Sequence, residues 1–132
     1  MAAMPLRNGR YDGHEVGPFY DTAGLVSWLE YPEEALDKRR QAHQLLGCRT
    51  VDGKWLYPVW QFQEDGELLP GLAEALKVLL TGLNDGWTVA LWFTGETSDR
   101  LDGLSPREWL SQGRCLQPVL EIARRDVAAW TK

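Results

Sequence analysis

The sequence predicts a mainly α-helical chain with a small β-hairpin, built as a winged helix-turn-helix followed by a small helical bundle. Three patterns predict this fold. Residues 20–57 place two short helices before a hairpin, which is the element order of a winged helix-turn-helix. Residues 72–83 carry leucines at steps of four, three and four. Residues 116–130 show apolar side chains at the same helical spacing.

The first half of the chain supplies the helix-turn-helix elements. The first helix is predicted over residues 22–29 with Thr22 as its cap, and the second over residues 33–43. A hairpin follows over residues 49–57, because Asp52-Gly53 is a favoured two-residue turn between strand-like segments.

This element order predicts DNA binding. In a winged helix-turn-helix the second helix enters the major groove, and the hairpin reaches the phosphates. The cations of both elements are therefore predicted to bind DNA: Lys38, Arg39, Arg40, Arg49 and Lys54. Three carboxylates, Glu33, Glu34 and Asp37, occupy the first turn, where they repel phosphates and accept hydrogen bonds from base amino groups. The same carboxylates favour the helix dipole, so a structural role for them stays open.

The second half of the chain is predicted to be helical, and its helices have clear N-cap residues. Asp85 is predicted to cap one helix, and Ser105 another. Pro106 is then the first helical residue, and Glu108 completes a capping box. Two interpretations remain: a bundle that closes its own core, or a protein-binding face that includes Trp109.

Composition limits the other possibilities. The chain has 132 residues, 44% apolar side chains and a net charge of −5, which argues against non-specific nucleic-acid binding by the whole chain. We predict a flexible arm over residues 1–18, a winged helix-turn-helix-like domain over 19–63 and a helical domain over 68–132. With no apolar run of ~20 residues and no signal-peptide core, a cytoplasmic protein with two buried thiols, Cys48 and Cys115, is expected.

No catalytic or cofactor motif is found in the sequence. His14 and His43 are the two histidines, and neither lies beside a nucleophile or a set of metal ligands. There is no phosphate-binding loop and no dinucleotide fingerprint. We therefore predict a binding protein without enzymatic activity, bound metal or cofactor.

Two regions of the chain carry short segments of small and apolar residues. In residues 68–130 these segments are 68–70, 90–94, 101–106, Trp109-Leu110, Gly113 and Val119-Leu120. Through them, residues 68–130 resemble the C-terminal toxin-binding domain of the Xre/MbcA/ParS antitoxins. In residues 18–62 the segments are 20–25, Trp28-Leu29, Leu45-Leu46, Arg49-Thr50, Asp52-Gly53 and 57–62. Through them, residues 18–62 resemble a companion domain of the MerR or excisionase winged helix-turn-helix type.

The resemblance implies a non-enzymatic prokaryotic or phage antitoxin that binds and occludes a partner toxin, commonly a RES-domain enzyme that consumes NAD. It also implies autoregulatory DNA binding and oligomerisation with the toxin. A homo-oligomer is a further expected state. The end of the chain would then block the partner, so the predicted partner-binding residues are Trp109, Arg124, Arg125, Trp130 and Lys132. Two alternatives stay open: a DNA-binding transcription regulator of a prokaryote, phage or mobile element, and a phage effector that binds a host protein.

Overall fold

The structure is a computed structural model that describes residues 3–5, 10–13, 18–82, 85–95 and 99–130. It confirms a mainly helical chain with a small hairpin. Within these ranges, two short 3₁₀ turns, Val59–Gln61 and Asp99–Leu101, join longer elements. The α-helices of the described residues are α1 Thr22–Leu29, α2 Glu33–Gln41, α3 Leu72–Leu79, α4 Gly86–Gly95, α5 Pro106–Ser111 and α6 Gln117–Trp130.

The hairpin belongs to a larger antiparallel sheet. Its strands are β1 Ala3–Pro5, β2 Arg10–Gly13, β3 Phe19–Asp21, β4 Cys48–Arg49 and β5 Trp55–Pro58. They lie in the order β1-β2-β3-β5-β4, so β3 pairs with the second strand of the hairpin. Strands β1 and β2 fall within residues 1–18, where the sequence showed no strand pattern.

Local signals place three helix starts. The Ser105 capping box is confirmed, because the Glu108 N–H donates to the Ser105 hydroxyl and the Ser105 N–H donates to the Glu108 carboxylate. Asp85 accepts the Trp87 N–H at 3.1 Å, as predicted. The predicted Thr22 cap is wrong: Asp21 Oδ1 accepts the Gly24 N–H at 2.7 Å, and Thr22 is already helical.

The hairpin turn is longer than predicted. The Thr50 N–H donates to the Lys54 carbonyl at 2.8 Å, and the Gly53 N–H donates to the Thr50 carbonyl at 3.0 Å. Gly53 has φ 85°, the left-handed conformation that ends a three-residue hairpin loop. The loop is therefore 51–53, and the prediction of a two-residue Asp52-Gly53 turn is wrong.

One hydrophobic core joins both halves of the chain. Buried side chains from β3, β4 and β5 lie in the same cluster as those of α3, α4, α5 and α6. A smaller cluster holds α1 and α2 against the hairpin, through Leu25, Leu36, Leu45 and Tyr57. The helix-turn-helix region therefore packs onto the helical bundle through the sheet, instead of hanging from a linker.

The two cysteines differ from each other. Cys48 is buried as predicted, and its burial, with the nearby charge of Asp85, raises the pKa of the thiol. Cys115 is exposed, so the prediction of a buried thiol there is wrong. None of the helices in the described ranges is long and apolar enough to cross a lipid bilayer.

Candidate functional site

The candidate site is formed by α2 and the hairpin β4–β5. Helix α2 carries Glu33 and Glu34 in its first turn and three cations in its last turn. The side-chain charges at both ends therefore interact favourably with the helix dipole. Leu36 buries one face of the helix, while Glu34 and Lys38 are exposed, one turn apart, on the outward face. The charged outward face is therefore the part of α2 that is open to solvent.

Arg40 links α2 to the hairpin. Its Nη1 donates to the Tyr57 hydroxyl at 2.9 Å and to Asp37 Oδ1 at 2.8 Å. The guanidinium carbon lies 3.9 Å from the centre of the Trp55 ring, within the range of a cation–π contact. Burial raises the pKa of Tyr57, and the Arg40 charge partly opposes that rise, so Tyr57 stays a neutral acceptor.

Arg49 lies on the hairpin near the same ring. Its guanidinium carbon is 5.8 Å from the Trp55 ring centre, and the side chain is exposed. The indole N–H of Trp87, at the start of α4, donates to the Arg49 carbonyl at 2.8 Å. The Trp55 ring thus gathers one cation from α2 and one from the hairpin, while α4 holds the strand that carries Arg49.

The other predicted DNA-binding cations have different surroundings. Arg39 lies 4.6 Å from the Tyr31 ring centre, and its Nη2 donates to the Tyr31 hydroxyl at 3.4 Å. Lys54 lies 3.9 Å from Asp52 in an exposed pair, which contributes little energy. Lys38 is exposed and pairs with no carboxylate among the described residues.

A cleft of about 940 Å³ separates the hairpin from the starts of α1 and α2. Glu33 lies on one wall, and Arg49, Asp52 and Lys54 lie on the other. The pKa of Asp52 is lowered, mainly by the hydrogen bond that the Thr50 hydroxyl donates and to a smaller extent by the charge of Lys54. At the tip of the hairpin, Val51 is fully exposed. The cleft therefore carries both signs of charge, with its cations on the hairpin side.

The predicted partner-binding residues lie at α5 and α6. The Trp109 indole N–H donates to the Cys115 carbonyl at 2.7 Å, and the Arg114 guanidinium lies 4.5 Å from its ring centre. Arg114 also pairs with Asp102 at 2.6 Å. Trp109 therefore holds the connection between α5 and α6 in place, which leaves less of its ring for a partner.

The three remaining described positions are on α6. Arg124 and Arg125 are exposed, and Arg125 lies 3.2 Å from Asp126, which also accepts the Trp92 indole N–H at 2.8 Å. Trp130, the last residue of α6, is 40% exposed. The fifth predicted residue, Lys132, lies outside the described residues.

Sequence reasoning missed the aromatic residues that organise the site. Tyr31 and Tyr57 each contact one of the arginines that were predicted to bind DNA, and Trp55 contacts two. A signal for two of them was present, because Trp55 and Tyr57 are two residues apart on one strand and therefore share a face. Their pairing with Arg40 depends on how α2 packs, which the strand pattern does not contain.

Comparison with known proteins bears on the fold. No family model matches the chain, and no curated protein matches it. The NMR structure of Rv2175c is similar, with a TM-score of 0.59 and 22% sequence identity. The match covers 86% of this chain and 81% of that chain, so both halves of the fold have a counterpart there. At this level of identity the similarity concerns the fold alone.

Proposed function

We propose that this protein binds duplex DNA through α2 and the hairpin, as a transcription regulator. The observation that carries the proposal is the Trp55 ring with Arg40 on the α2 side and Arg49 on the hairpin side. Through Arg40 this contact holds the end of α2 against the hairpin, which brings together the two elements that carry the predicted DNA-binding cations. A DNA major groove is wide enough to admit a helix, while an adjacent hairpin reaches the sugar–phosphate backbone.

The negative net charge of the chain is compatible with this role. The cations of the helix-turn-helix region are confined to the end of α2 and the hairpin, whereas most of its carboxylates precede them. At about 0.1 M salt the Debye length is roughly 10 Å, so exposed carboxylates elsewhere on the surface are largely screened. A local cationic surface is then enough for phosphate contacts.

The first prediction concerns the hairpin cations. Replacing Arg49 and Lys54 together by alanine is expected to weaken DNA binding roughly tenfold or more at low salt, because two phosphate contacts are lost. The measurement is retention of a labelled random-sequence duplex over a salt series. A matched control replaces Lys77 and Arg107, two exposed cations of the helical half. This variant removes the same charge and is expected to bind like wild type. Equal losses in both variants, or no retention of duplex by wild type at low salt, would reject the proposal.

A second candidate function is suggested by the end of α6. Trp130 is 40% exposed, and Arg124 and Arg125 are exposed on the same helix. Tryptophan and arginine are both enriched at binding hot spots. These features support an antitoxin-like role in which the end of α6 occludes a partner toxin enzyme, with a RES-domain NAD-consuming enzyme as the expected partner. Both roles belong to the cytoplasm, and neither involves a catalysed reaction.

The second prediction tests this surface with a point substitution. Removing all of residues 115–132 would also remove the buried Val119, Ile122 and Ala123, so truncation confounds binding with folding. In cells that co-express the toxin encoded by the adjacent gene, Trp130→Ala is expected to reduce rescue of growth at least tenfold in colony count, since a hot-spot residue contributes 2 kcal/mol or more. Trp28→Ala, which alters a tryptophan that is 38% exposed on α1, is the control and should rescue growth normally. Full rescue by Trp130→Ala would exclude the end of α6 as the blocking surface.

A further inference from the structure

We infer that Arg40 positions the hairpin against α2 and does not contact DNA, and that Lys38, Arg49 and Lys54 are the cations that contact phosphate. This inference rests on the proposed DNA-binding function. It divides four of the five predicted DNA-binding cations by what each side chain already does in the free protein. The fifth, Arg39, already contacts the Tyr31 ring and is assigned to neither class.

Arg40 is committed to contacts within the protein. Its side chain is 14% exposed, and Nη1 already donates to both Asp37 and Tyr57. The aliphatic stem is enclosed as well, because a Cβ atom added at Gly47 would lie 2.9 Å from Arg40 Cδ. Nη1 is therefore fully used, and turning the whole guanidinium outward to a phosphate would break the contact with the Trp55 ring and both hydrogen bonds. Such a move would also take the charged donor away from the hydroxyl of Tyr57, which is a buried residue.

The same contacts join two elements that must act together. Asp37 and Arg40 belong to α2, whereas Trp55 and Tyr57 belong to β5. Arg40 therefore sets the separation and angle between the helix that enters a groove and the hairpin that reaches the backbone. Because a misplaced contact loses most of its energy, a positioning residue of this kind affects affinity through Arg49 and Lys54.

Lys38, Arg49 and Lys54 have the opposite character. Lys38 lies on the outward face of α2, and no carboxylate of the described residues pairs with it. Arg49 is exposed near the Trp55 ring at 5.8 Å, a distance at which the contact is weak and the head group is free to turn. The Lys54–Asp52 pair is exposed on both sides and easily exchanged for a phosphate.

The salt dependence of binding separates the two classes. Each phosphate contact contributes about 0.9 to the slope of log K against log salt, so three contacts predict a slope of about −2.7 for wild type on random-sequence duplex. Lys38→Ala, Arg49→Ala and Lys54→Ala are each expected to reduce the slope by about 0.9. Arg40→Met and Tyr57→Phe are expected to weaken binding roughly fivefold with the slope unchanged, since binding must then order a hairpin that a hydrogen bond of about 1 kcal/mol holds in place in the wild-type protein.

Two further measurements exclude a general loss of folding. Arg40→Lys keeps the charge but lacks the planar group that bonds in several directions, so it should bind as weakly as Arg40→Met. In a double-mutant cycle, Arg49→Ala should cost less in the Arg40→Met background than in wild type, while Lys38→Ala should cost the same in both. Thermal unfolding of each variant confirms that it is folded at the assay temperature.

The outcomes are distinguishable. A slope reduced by about 0.9 in Arg40→Met, with recovery in Arg40→Lys, would identify Arg40 as a phosphate contact and overturn the inference while the DNA-binding function stands. Additive losses for Arg40→Met and Arg49→Ala would also overturn it. If wild-type protein retains no duplex at low salt, the proposed function fails and the inference fails with it.

Discussion

Gln61→Leu is expected to lower the free energy of unfolding by about 4 kcal/mol, because two buried backbone groups lose their partner and each costs about 1–3 kcal/mol. Gln61 is completely buried. Its Oε1 accepts the Leu46 N–H at 2.9 Å, and its Nε2 donates to the Leu46 carbonyl at 2.9 Å. The side chain thus pairs with Leu46 as a neighbouring strand would.

Denaturant unfolding measures this effect, and Gln63→Leu is the matched control. Gln63 is exposed and its Nε2 donates to the Leu68 carbonyl at 3.1 Å. Water replaces that lost bond, so the control should cost less than about 1 kcal/mol. Similar losses in the two variants would contradict the role of Gln61 as the partner of Leu46.

Gln61→Glu adds a pH test of the same bonds. A protonated carboxyl has the shape of the amide and both donates and accepts, whereas an ionised one cannot donate to the Leu46 carbonyl. Burial raises the folded-state pKa of the introduced carboxyl above its unfolded value of about 4.3. The stability of the variant relative to wild type is therefore greatest below about pH 4.3 and falls as pH rises through the raised pKa. A difference that does not change between about pH 4 and about pH 7 would contradict this explanation.

Gly86→Ala is expected to cost about 3 kcal/mol, at the upper end of the usual effect of overpacking. Gly86 begins α4, and a Cβ atom there would lie 2.1 Å from the Gly47 carbonyl oxygen and 3.3 Å from Cys48 Cα. Both obstacles are backbone atoms. Gly47 cannot retreat, because Arg40 and the Trp55 ring enclose its other side.

Gly95→Ala is the control on the same helix. Gly95 ends α4, and none of the described residues comes within 4 Å of a Cβ atom placed there. Alanine forms helix better than glycine, so this change should be neutral or stabilise by up to about 1 kcal/mol. Calorimetry of the two variants checks the pair. Equal unfolding temperatures would show that α4 and residues 47–48 separate easily.

The close approach at Gly86 also matters for the proposed interface. Trp87, the next residue, donates its indole N–H to the Arg49 carbonyl. An α4 displaced by a Cβ at Gly86 would therefore shift the strand that carries Arg49. We expect Gly86→Ala to weaken DNA binding as well as stability, whereas Gly95→Ala should affect neither strongly.

The sequence by itself determined the elements whose signals are local. The Ser105 capping box, the Asp85 cap and the apolar spacing of α3 and α6 involve residues within a few positions of one another, so no distant partner is needed to form them. The cations of α2 and the hairpin were likewise visible in the sequence as candidates for DNA binding.

The tertiary structure decided everything that depends on distant partners. The pairing of β3 with β5, the Gln61–Leu46 bonds and the enclosure of Arg40 by Trp55 and Tyr57 each join segments that are far apart in the chain. Spacing and capping patterns describe one segment at a time. The packing of those segments decides that Arg40 is held inside the protein while Arg49 faces solvent. Burial and hydrogen-bond partners of this kind exist only once the chain has folded.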